Sequence, residues 1–98
     1  MNLSELLEDI QSLEEELRGY ERKYGVLTET FADAYCAGEE PANSAWVQDW
    51  TAWASAYDLW RRRRQQYKDA SDAFRAEGHS TSELIERAAH HESIPVPA

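Results

Sequence analysis

Every seventh residue from Trp46 is aromatic: Trp46, Trp53, Trp60, Tyr67 and Phe74. The interleaved positions are Trp50, Tyr57, Arg64 and Ser71, so steps of four and three alternate along the run. An α-helix brings residues three and four apart onto one face, and the pattern therefore predicts one helix with a continuous aromatic seam. A strict seven-residue repeat marks helices that pack side by side at a shallow angle. All four tryptophans lie on this seam.

A second seam precedes it. Leu3, Leu6, Ile10, Leu13, Leu17, Tyr20 and Tyr24 recur at three and four, with Glu5, Glu8, Asp9, Glu14, Glu15, Glu16 and Glu21 on the outer positions. Asn2 is the expected N-cap, with Glu5 three residues on, and Gly25 the expected stop. Thr28 is expected to cap a short helix carrying Phe31, Ala34 and Tyr35, which Gly38 ends. The segment Glu39-Glu40-Pro41-Ala42-Asn43 reads as a polar turn, and Asn43 or Ser44 then caps a long helix from about Ala45 to Glu77. Ser80-Thr81-Ser82-Glu83 opens a last short helix with Leu84, Ile85, Ala88 and Ala89. Pro95 and Pro97 keep the tail out of helix, so residues 93–98 are expected to be frayed or extended and flexible.

These elements predict an all-α fold. It is an antiparallel helical hairpin with a short connecting helix, a short C-terminal helix and coiled-coil-like packing, in one domain over residues 1–92. At about 1.5 Å per residue the long helix reaches about 50 Å and the first about 30 Å. The first helix is therefore expected to cover only the first twenty or so residues of the long one. Arg64, Tyr67 and Phe74 would lie at or beyond that limit, covered by the last helix folding back, by a second copy or by another partner. This strip is the expected protein-binding surface.

Composition sharpens the picture. Ninety-eight residues make one small domain, and four Gly and three Pro leave long stretches free to be helical. The formal net charge is -9, concentrated early: residues 1–40 hold eleven acidic and three basic side chains, a balance of -8. Residues 61–98 hold seven basic and six acidic, a balance of +1. An acidic surface repels nucleic acid and favours a basic protein partner, although simple solubility explains it equally well. Arg61 to Arg64 circle the whole helix rather than forming a stripe, and Arg64 is expected to stack on a ring or pair with an acid of the first helix. The lone cysteine, Cys36, suits a reducing cytoplasm and reads as a buried or inert thiol. No stretch approaches the roughly 20 apolar residues of a membrane span.

Catalysis finds no footing. Adjacent His90 and His91 point to different sides of a helix, and Glu86 with His90 makes only a two-residue ligand pair at i, i+4. His79 follows Arg75 too closely for the Arg-and-His spacing of helical ribonuclease toxins. Phosphate loops, nucleophile elbows, zinc-finger spacings and paired Glu-x-x-His motifs are missing from the sequence. No catalytic residue, cofactor or metal ligand is expected.

The run Tyr24-Gly25, Thr28-Glu29, Phe31, Gly38-Glu39 and then Trp46, Trp50, Trp53 and Tyr57 resembles a group of short bacterial and archaeal proteins. Those proteins start with an acidic heptad helix, continue with Tyr-Gly and a short helix ending in Gly-Glu, and close with a Trp- and Tyr-bearing helix. They are viewed as antitoxin components of two-gene toxin–antitoxin systems. The resemblance covers about residues 3–60 and implies a small helical protein that binds another protein, such as a cognate toxin. Three functions then compete: a non-catalytic protein-binding module of the antitoxin or immunity kind, a self-associating coiled-coil scaffold, and a nucleic-acid binder using the arginine block. The net charge argues against the last.

Overall fold

In the computed structural model, which describes residues 1–97, the chain is all-α. Helix α1 spans Leu3–Tyr24, α2 Thr28–Cys36, α3 Val47–Ala76 and α4 Thr81–Ala89, with one turn of 3-10 helix at Ser44–Trp46 leading into α3. No strand is present among the described residues. The helix ends follow local chemistry. Asn2 Oδ1 accepts from the Glu5 N–H at 2.9 Å, Asn43 Oδ1 from Ala45 at 2.9 Å, and Ser80 Oγ from Glu83 at 3.1 Å. Gly38 closes α2 in the left-handed conformation (φ +85°). Its N–H reaches Tyr35 O at 3.1 Å and that of Glu39 reaches Ala34 O at 3.0 Å, the paired bonds of a Schellman turn.

Thr28 departs from its expected role. Leu27 occupies the cap position with no side-chain bond, while Thr28 is the first residue of α2 and is buried. Both its N–H (2.8 Å) and its Oγ1 (2.9 Å) donate to Glu21 Oε2. The carboxylate of the preceding helix does the work of a cap, so the threonine hydroxyl is released for another contact.

Contacts gather the chain into two compact units: a central one, Ser12–Arg61, and a terminal one in which residues 1–11 join the chain from Arg62 onward. The divisions fall inside α1 and α3, so both long helices contribute to each unit. Within each unit α1 and α3 run antiparallel. In the central unit Tyr24 meets Trp46 while Tyr20 meets Trp53; in the terminal unit Asp9 meets Arg63 while Leu3 clusters with Ala70 and Phe74. Leu13 and Leu17 are buried, as the hairpin requires.

The terminal unit overturns the exposed aromatic strip. Phe74 is only 7% exposed and shares a core with Leu3, Ala70, Leu84 and Ile94; Tyr67 is half-buried against the same cluster. Of the covers considered for these rings, α4 folding back supplies one part through Leu84. The tail supplies the other. It is extended, as anticipated, but it is stitched in place: Leu3 N–H donates to Ile94 O at 2.8 Å, and Asn2 bridges antiparallel to Pro95. The physical reason lies in the alternation of an extended chain, whose successive side chains face opposite ways. Ile94 is buried and Val96 half-buried, while Pro95 and Pro97 face solvent. Burying a side chain such as Ile94 contributes about 1.5–3 kcal/mol. Residue 98, the end of that expected tail, lies outside the described residues.

Candidate functional site

The central unit is organised on Trp53, which is 1% exposed. Its ring lies parallel to Phe31 with centroids 3.9 Å apart, and Tyr20 and Tyr24 stack on it at 5.7 and 5.6 Å. Its Nε1–H donates to Thr28 Oγ1 at 3.1 Å. The hydroxyl thus accepts from tryptophan while donating to Glu21, a relay joining α3, α2 and α1. Trp50 meets Phe31 edge-on at 5.3 Å, the arrangement favoured by the ring quadrupoles. At the far end of this stack, Asp49 receives Tyr24 Oη at 2.6 Å and Lys23 Nζ at 2.5 Å. The bond from Lys23, then that from Tyr24, holds the Asp49 carboxyl below its ordinary range. Desolvation against its neighbours, then the bond to Asp49, pushes the Tyr24 hydroxyl up.

The short helix α2 borders two recesses. One of about 240 Å³ opens where Glu14, Arg18 and Glu21 of α1 face Tyr57 and Trp60 of α3. A second, of about 450 Å³, lies between α2 and α3, with Asp33, Cys36, Asp58 and Arg61 on its walls. Glu29 and Tyr57 line both, so the two are adjacent. Ala32 and Ala54 keep the larger one open, since neither extends beyond a methyl group. Around the unit stand large apolar side chains in solvent: Leu27 is 68% exposed, and Val26, Tyr35, Trp46 and Val47 are exposed too.

The residues expected to form the binding strip are all in the terminal unit. Phe74 is core, stacked on His79 at 4.3 Å with the Arg87 guanidinium 5.3 Å from its centroid. Tyr67 packs beside it, and Arg64 is exposed on α3. Its neighbour Arg63 pairs with an acid of α1, its Nε donating to Asp9 Oδ2 at 2.7 Å. Cys36, expected to be a buried or inert thiol, is exposed at the larger recess. His90 and His91 are exposed at the end of α4, and His79 Nδ1 lies 2.8 Å from Glu83 Oε2. That bond lowers the Glu83 carboxyl below its ordinary range. Among the described residues no cluster of three metal-ligating side chains occurs, and no helix is long and apolar enough to cross a membrane.

Sequence reasoning missed the recesses because a seam states which side chains turn inward, not how fully Tyr57 and Trp60 are covered. The available signal was the brevity of the Thr28–Cys36 segment, which spans too few residues to roof the aromatic seam. Comparison with known proteins found no matching family, no matching curated protein and no matching solved structure.

Proposed function

We propose that this chain is a non-catalytic protein-binding module, of the antitoxin or immunity kind, working in the cytoplasm. The observation that carries the reading is the distribution of exposed large apolar residues. Val26, Leu27, Tyr35, Trp46 and Val47 belong to the central unit, Leu27 and Tyr35 lining its recesses, whereas Met1, Leu7 and Ile85 are those of the terminal unit. Exposed apolar groups rimmed by charge are the usual composition of an interaction surface. The resemblance of residues 3–60 to antitoxin-like proteins supports the same reading, since it covers residues 12–60 of this unit.

The test is co-purification of the tagged chain from its native host with identification of retained proteins, followed by binding measurements on the purified pair. A stoichiometric partner lost on Leu27→Ser supports the reading. Sedimentation of the chain alone as a stable oligomer, with no partner retained, replaces it with the self-associating scaffold.

A further inference from the structure

We infer that the two recesses sharing Glu29 and Tyr57 form one docking groove for a basic segment of a partner protein, an inference that rests on the protein-binding reading. Three features of the groove define the occupant.

The first is its charge. Glu14, Glu21, Glu29, Asp33 and Asp58 line it against Arg18 and Arg61. Arg18 Nη2 is held by Glu15 at 2.9 Å, which turns its charge toward a carboxylate outside the groove. Glu29 and Asp33 stand four residues apart on one face of α2, and neither forms a side-chain ion pair among the described residues. Like charges at that spacing oppose each other, and a cation delivered between them relieves the repulsion.

The second is the floor. Tyr57 offers its ring to both recesses, and the Arg61 guanidinium already lies 5.8 Å from its centroid. An incoming Lys or Arg would displace Arg61 from that face, its stem packing on the ring while its head reaches the acidic rim. The third is the exposed Leu27 and Tyr35, which meet apolar side chains of the same segment. The central unit carries ten acidic and four basic residues, a balance of -6, so a basic partner is also steered toward it from a distance. Nucleic acid is repelled by the same field.

Cys36 makes the groove readable, because it is the sole cysteine of the chain and lies exposed in the larger recess. The experiment follows its modification by a chromogenic disulfide in the presence of a helical Lys/Leu peptide or a Glu/Leu peptide of the same pattern. We expect saturable protection by the basic peptide only, weakened about tenfold in the Glu29→Gln/Asp33→Asn variant. The Glu39→Gln/Glu40→Gln variant, which loses the same charge in the exposed loop after α2, should bind within about twofold of the parent. Equal protection by both peptides, or equal weakening by both variants, overturns the groove. The co-purified partner separates this inference from the reading beneath it. If the partner stays bound to the groove variant while Cys36 remains reactive in the complex, the groove is wrong and the protein-binding function stands. If no partner is found and neither peptide protects, both fall.

Discussion

The two units solve the same packing problem with different materials. The central unit builds its core from rings stacked on Trp53, tied by a hydroxyl relay, and leaves large apolar groups and acidic recesses at its surface. The terminal unit builds from Leu3, Ala70, Phe74, Leu84 and Ile94, drawn from three helices and an extended tail, and leaves Met1, Leu7 and Ile85 exposed. Its charge is closer to balance, with nine acidic and six basic side chains. Aromatics supply much burial per residue but are rigid and wide, so a short helix lying on them cannot seal the edges. Aliphatic side chains and a flexible strand adapt to one another.

The contrast predicts which changes should be most damaging. Trp53→Ala removes the centre of the ring stack and should lower stability by about 3–5 kcal/mol in a denaturant titration, with loss of the near-ultraviolet dichroism of the stacked rings. Phe74→Ala should cost a similar amount, about 3–5 kcal/mol. A shift below about 1 kcal/mol there would return Phe74 to the surface. Truncation after Glu92 removes Ile94 and its backbone bond to Leu3, and should destabilise by about 2–3 kcal/mol. Hydrogen exchange should show the loss in the first turns of α1 rather than in α2.

Two smaller effects sharpen the comparison. Acid should loosen the central unit through Asp49. Its carboxyl is depressed in the folded state, first by Lys23 and then by Tyr24, so its stabilisation is complete above the ordinary carboxylate range and lost as pH falls from there through the lower range where the folded carboxyl titrates. Asp49→Asn should flatten the acid side of the stability profile. In the terminal unit, His91 adopts φ 56° at the end of α4, with its N–H on Ala88 O at 3.0 Å and that of Glu92 on Arg87 O at 3.0 Å. This is the Schellman position that glycine usually fills, and His91→Gly should raise stability by roughly 0.5–1 kcal/mol.

Periodicity alone determined the helices, because a seven-residue repeat has one helical solution and Asn2, Gly25, Gly38, Asn43 and Ser80 mark its breaks by local bonding. It also determined the antiparallel hairpin, since two apolar seams on one short chain must face each other. What covers Phe74 was decided by tertiary structure: Ile94 and Val96 look like a proline-broken tail until the strand is laid against Leu3. The partner of Thr28 was decided the same way, since a capping residue and a buried relay have the same sequence signature and only the approach of Glu21 and Trp53 separates them. The recesses bordered by α2 belong to that class as well. A heptad states which side chains turn inward, whereas the depth to which a nine-residue helix covers them depends on the width of the rings it rests on.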